Sequence, residues 1–225
     1  IHMYTMTCPI SNCVCIALRK RGINLNCKRC LGLSYYFLRK NVHKYRKVAE
    51  ISHNVVVSKY MQNFYKKYKP TYLPIPLETN EIKPKKTKKD YILFTARHGI
   101  EKNPLEFIRL ITDLKVRGVL LFHGATKSVM KQYIDVAKRS DKLIIKNVFD
   151  KRELFKLYRD ARLVVLPYLY AEPFGIAFVN GILANTPVIG YDFGNQVNVC
   201  TYVVSSYKQL FDKVRSLMTD DKAYK

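Results

Sequence analysis

From Tyr91 to Asp192 short apolar runs alternate with amphipathic stretches about twice as long, and this rhythm restricts the fold more than any other feature. It predicts strands at Tyr91–Ala96, Val119–Gly124, Leu143–Val148, Leu163–Tyr168 and Pro187–Asp192. Helices are predicted at Asn103–Lys115, Lys127–Ser140, Lys151–Ala161 and Phe174–Asn185, and in the first of these Leu105, Ile108, Leu110 and Ile111 gather on one side. Strands of about six residues joined by helices of about twelve require crossover connections. The expected fold class is therefore α/β, a doubly wound, Rossmann-like parallel sheet with helices on both faces. Ligands of such a sheet gather beyond the carboxyl ends of its strands.

Residues 1–78 are less regular. Leu33–Ile51 carries apolar residues at 38, 42, 45, 48 and 49, interleaved with Arg39, Lys40, Lys44, Arg46 and Lys47. It reads as a basic amphipathic helix that either covers a sheet or lies on a membrane surface. Asn54–Val57 reads as a strand, Lys59–Tyr68 as a helix, and Thr71–Ile75 as a strand before Pro76. Residues 1–78 are thus expected to form a partial second α/β domain. Residues 79–90 are Lys-rich, lack apolar periodicity and read as a linker to the larger domain, residues 91–225.

Charge narrows the partners without choosing one. Forty Lys/Arg against 17 Asp/Glu give +23, and residues 1–90 hold 19 of the basic residues but 4 of the acidic ones. Such a surface attracts polyanions, whether anionic membrane headgroups, a phosphate-rich ligand or, less in favour here, nucleic acid. It is equally the solvated face of a Lys-rich protein. No apolar run nears the roughly 18 residues of a membrane-spanning helix, and no leader is evident, so a cytoplasmic location is expected, with membrane association open. Five of the six cysteines lie at Cys8, Cys13, Cys15, Cys27 and Cys30. Cys27 and Cys30 have zinc-knuckle spacing and Cys13 and Cys15 complete a candidate set; disulfides and buried free thiols are the rival readings.

Two clusters carry potential chemistry. Tyr170-Ala-Glu172-Pro-Phe174-Gly175-Ile176 follows a strand and opens a helix, whose first backbone amides and partial positive charge suit a phosphate or sugar oxygens. Gly175 lets a ligand approach the backbone, and Glu172 either accepts hydrogen bonds from sugar hydroxyls or simply complements the helix dipole. The second cluster is the loop Ala96-Arg97-His98-Gly99-Ile100-Glu101-Lys102 after the first strand, where Arg97 and Lys102 together can neutralise a diphosphate. No Gly-x-Gly-x-x-Gly follows a strand, which disfavours an ordinary dinucleotide enzyme.

These segments resemble a known family. LFTARHGIEKNP, followed by NVFDKRELFKLYRDARLVVLPYLYAEPFGIAFVNGILANTPVIGYDFG, is similar to the donor domain of retaining GT-B glycosyltransferases of family 4, in order and spacing, over nearly all of residues 90–195. The resemblance implies a GT-B-like fold with a shortened N-terminal domain, and transfer of a sugar from a UDP-, GDP- or ADP-sugar to a lipid, glycan or protein acceptor. It implies no cofactor and no active-site metal, and the sequence has no Asp-x-Asp. By resemblance Arg97 and Lys102 hold the donor phosphates and Glu172 contacts the transferred sugar. The amides of Phe174, Gly175 and Ile176 bind its oxygens, and Lys146, Asn147 and Val148 line the base pocket. The family's ribose-binding Glu is Asn180 here, its Gly before Pro-Val is Thr186, and the Ser after its strand-end Pro is Tyr168. Near the start, His2 would match a histidine close to the transferred sugar, although His2-Met3 is equally a leftover of cloning. The competing expectation is a polyanion-binding protein on a degenerate glycosyltransferase scaffold.

Overall fold

The computed structural model describes residues 33–77, 82–138, 140–148, 150–192 and 194–220. These fall into two compact units. The first comprises residues 33–77, 169–175 and 194–195, and the second residues 82–168, 176–192 and 196–220.

In the first unit, α1 (Ser34–Ile51) buries Val42 and Ala49, while Phe37 and Ile51 are exposed. Strand β1 (Val55–Val56) pairs in parallel with β2 (Thr71–Tyr72), with α2 (Lys59–Phe64) between them. Both strands are shorter than the sequence suggests. Pro74 and Pro76 lack the N–H a longer ladder needs after β2. The predicted helix over 59–68 also divides: after Tyr65 a 3-10 turn (Lys66–Tyr68) takes over and stops at Lys69, whose φ is +46°. Ser58 caps α2 by accepting from the Met61 N–H (3.1 Å). The small core is Ala49, Val56, Met61, Tyr65 and Ala171.

The second unit is built on β3 (Lys89–Arg97), α3 (Pro104–Leu114), β4 (Gly118–His123), α4 (Lys127–Ala137), β5 (Leu143–Asn147), α5 (Lys151–Asp160), β6 (Ala161–Leu166), α6 (Ile176–Leu183) and β7 (Val188–Tyr191). It closes with α7 (Gln196–Val199), β8 (Tyr202–Val204) and α8 (Tyr207–Thr219). The six strands form one parallel sheet in the order β5-β4-β3-β6-β7-β8. This is the doubly wound Rossmann order, as expected, with its reversal between the neighbours β3 and β6. Helices α3, α4 and α8 pack together, and α5 packs beside α6. Central strands are apolar on both faces: Ile92, Leu93 and Phe94 of β3 and Leu163 to Leu166 of β6 have no exposed surface.

Two departures from the sequence reading concern the start of α6 and the far edge of the sheet. Helix α6 begins at Ile176, because Gly175 has φ +92° and residues 169–175 fold with the first unit. Beyond Asp192 the chain adds α7, β8 and α8, which the alternation does not reveal. The unusual Thr186 is structural: its hydroxyl donates to the Tyr158 carbonyl (2.7 Å) and accepts from the Lys88 ammonium (2.8 Å). Among the described residues no helix is long and apolar enough to cross a membrane.

Candidate functional site

At the reversal of strand order, β3 hands the chain to one face of the sheet and β6 to the other, so a crevice opens beyond their carboxyl ends. After Arg97 the chain makes a 3-10 turn (Ile100–Lys102), closed by the Lys102 N–H donating to the Gly99 carbonyl (3.1 Å). Arg97 is exposed, whereas Lys102 is only 8% exposed. The Lys102 Nζ lies 4.1 Å from the centroid of the Tyr168 ring, just beyond β6. A cation over a Tyr face within about 6 Å is attracted by roughly 0.5–2 kcal/mol, more as water is removed. The ring is fixed: the Tyr168 hydroxyl donates to the Thr95 carbonyl, and Phe94 and Phe178 pack edgewise at 6.1 and 5.3 Å. The next residue binds the two loops together. Asn103, at φ +54°, donates through its carboxamide to the Pro167 carbonyl (3.2 Å).

Farther along the same edge, the ends of β3, β4 and β5 are braced by polar side chains. His123 Nε2 hydrogen-bonds the Thr95 hydroxyl (2.8 Å), and burial holds the imidazole pKa below its usual value. The Asn147 carboxamide donates to the Ala125 carbonyl (2.8 Å) and accepts from the Ala125 N–H (3.3 Å), clamping the turn after β4 at Gly124, where φ is +67°. Of the three residues expected around a base, Asn147 makes this clamp and Val148 is buried. Lys146 instead pairs with Glu153 (3.0 Å) and lines a hollow of about 580 Å³ with Tyr91, Val119, Ile144 and Leu157.

The first unit holds Glu172, Phe174 and Gly175. The Glu172 carbonyl accepts from the Asn195 N–H (2.9 Å), and the Phe174 carbonyl from the Asn195 side-chain amide (2.6 Å). The Pro173 carbonyl accepts from the Ser58 hydroxyl. A single buried Asn thus fixes the path of this segment, in which Glu172 is half-buried. Gly175 needs its glycine, since φ +92° strains any L side chain. In the second unit Ile176 opens α6 and is 45% exposed, and Asn180 lies half-buried one turn on.

The structure therefore gathers Arg97, Lys102 and Tyr168 at one pair of strand ends, with Glu172, Phe174 and Gly175 ordered in the other unit. Reasoning from sequence missed three supporting residues, Asn103, His123 and Asn195, and the service of Tyr168 beneath Lys102. His2, Cys13, Cys15, Cys27 and Cys30 lie outside the described residues. Among the described residues no group of three or more His, Cys, Asp or Glu could hold a metal ion.

Residues 77–225 match the family profile described as "Glycosyl transferases group 1". No curated protein matches the sequence significantly. Similar solved structures include sucrose-phosphate synthase from Thermosynechococcus elongatus, with TM-score 0.70 and 15% identity over 83% of this chain and 54% of that one. Anabaena HepE in complex with UDP and glucose has TM-score 0.70 and 13% identity over 91% and 70%. The pneumococcal O-GlcNAc transferase GtfA in complex with UDP and GlcNAc has TM-score 0.59 and 16% identity over 78% and 39%. The chain spans about half the length of the first of these and less of the last. At such identities the likeness shows the fold alone: α/β, GT-B-like.

Proposed function

This chain belongs to the group 1 glycosyl transferases, and on that premise we propose that it transfers a sugar from a nucleoside diphosphate sugar to an acceptor hydroxyl with retention, as the resemblance to family 4 implies. The observation that carries this reading is Lys102. A nearly buried ammonium, seated on an aromatic ring at the strand-order reversal and five residues from Arg97, suits a leaving diphosphate. The structural relatives HepE and GtfA were solved with UDP, which supports a UDP-sugar as the first donor to test.

In the proposed reaction an acceptor oxygen bonds to the anomeric carbon as the bond from that carbon to the diphosphate oxygen breaks. The electron pair leaves with the diphosphate and the acceptor proton passes to phosphate or solvent. Arg97 and Lys102 stabilise the charge developing on the phosphates, a form of catalysis that preorganised cations supply in a partly dry site. Glu172 positions the sugar, the amides of Phe174, Gly175 and Ile176 bind its oxygens, and Asn180 takes a ribose hydroxyl without the charge of the usual Glu. Asn147 and Val148 border the base, with Lys146 as their neighbour on β5.

Calorimetric titration with UDP-, GDP- and ADP-sugars, paired with a donor-hydrolysis assay, tests the proposal. One donor is expected to bind and Arg97→Ala to weaken it at least tenfold, the scale of a lost charge-assisted contact. No binding or turnover with any donor refutes it. Steeply salt-dependent binding to DNA or anionic vesicles in its place would select the polyanion-binding alternative.

A further inference from the structure

We propose that Tyr168 is a positioning residue that holds the Lys102 ammonium in place for the leaving diphosphate. This deepens the donor reading and rests on it. A lysine side chain is long and flexible, and its ammonium is strongly hydrated, so a loop lysine reaches its ligand from many rotamers and wet. Lys102 is 8% exposed, with its Nζ 4.1 Å from the Tyr168 ring centroid. The ring has no freedom of its own. It is 1% exposed, its hydroxyl is anchored on the Thr95 carbonyl, and Phe94 and Phe178 meet it edge to face.

The two partners are also held in register from the backbone. The turn that carries Lys102 is closed onto Gly99, and Asn103 donates to the carbonyl of Pro167, the residue before the ring. Placement of the hydroxyl distinguishes this role from direct binding. Family 4 enzymes, by the resemblance in sequence, have Ser at this position, and a Ser would offer its hydroxyl to a ligand. The Tyr168 hydroxyl is already committed to Thr95, so its π face is what meets the cation.

Two measurements test the assignment. In the first, lysines are reductively methylated with 13C and the Lys102 resonance is assigned by its loss in Lys102→Arg. A methyl group over a ring face is shifted upfield; the shift is expected in the otherwise unaltered protein and in Tyr168→Phe, and should vanish in Tyr168→Leu. In the second, UDP is titrated by calorimetry. Tyr168→Leu is expected to weaken UDP binding about tenfold, the scale of a desolvated cation–π contact. Tyr168→Phe should restore it to within about threefold, and Tyr168→Leu should cost nothing further on a Lys102→Ala background. Should Tyr168→Leu not fold, phenylalanines of increasing fluorination at 168 keep the shape while draining the ring face, and UDP affinity should fall stepwise. Affinity that ignores fluorination, or a full Tyr168→Leu loss on the Lys102→Ala background, overturns the proposal. An unshifted Lys102 resonance refutes the ring contact itself. A shifted resonance in a protein that binds no nucleotide refutes the donor reading instead and removes this residue's proposed purpose with it.

Discussion

Gly181→Ala sets two known effects against each other in α6, the helix whose first turn is assigned to the donor. A methyl group built at Gly181 falls 2.4 Å from Val188 Cγ2, 3.5 Å from Val164 Cγ2 and 3.6 Å from the Thr186 carbonyl oxygen. The first distance is roughly 1 Å short of ordinary carbon contact. Val188 cannot absorb that. It has no exposed surface, it is β-branched, and its strand is laddered to β6 and β8. The helix must therefore lift from the sheet, at an overpacking cost of about 1–3 kcal/mol. Alanine returns about 1 kcal/mol through helix propensity. The net expectation is destabilisation of about 1 kcal/mol, read as a melting temperature roughly 2–4 °C lower. Removing the obstructing methyls isolates the clash: Val188→Ala alone costs roughly 2 kcal/mol, and the double variant should lose less than the sum of the two single losses by about 1 kcal/mol. Donor affinity should fall in Gly181→Ala and recover in the double variant. A Gly181→Ala protein that melts at or above the parent, or strictly additive losses, would refute the packing argument.

Three further outcomes can be checked directly. Asn147→Ala removes both hydrogen bonds to the Ala125 backbone and should destabilise by roughly 1–3 kcal/mol, with faster amide exchange at Ala125. Burial holds the folded His123 below its ordinary value of 6.5, so below that pH the unfolded chain takes up a proton that the folded one resists. Stability should be insensitive to this group above pH 6.5 and fall as pH drops below it, and denaturant midpoints of His123→Gln should lose that part of the slope. Burial also pushes the Cys200 thiol up to about 12, so at pH 8 alkylation followed by peptide mass spectrometry should find Cys200 modified slowly until the protein is unfolded.

How far the sequence discloses this molecule depends on the range of the interaction involved. Strands β3 to β7 and the helices between them are legible because each is a local period repeated long enough to count. The three residues of β8 are too few for a period, although α8 behind it has a Ser206 cap and buries Leu210, Val214 and Leu217 at helical spacing. In the crevice, Lys102 is recognisable as a strand-end cation from its own loop. Its seat on Tyr168 is not, since the partners stand 66 positions apart and a Tyr after a strand-end Pro looks like simple drift. Asn195 is silent for the same reason: a loop Asn carries no pattern, and its value lies in two carbonyls more than twenty residues upstream. The membership of residues 169–175 in the first unit rests likewise on distant partners, Ser58 for Pro173 and Met61 and Tyr65 for Ala171.

That last membership has a practical meaning for anyone who cuts the gene. The stretch from Leu169 to Gly175 is translated in the middle of the second unit but completes the first, so the two are not successive beads on a string. A fragment ending at Leu77 would lack Ala171 from its core and an acceptor for Ser58. One starting at Lys83 would carry seven residues with nothing of their own to fold against. The chain is expected to yield stable protein only when expressed in one piece.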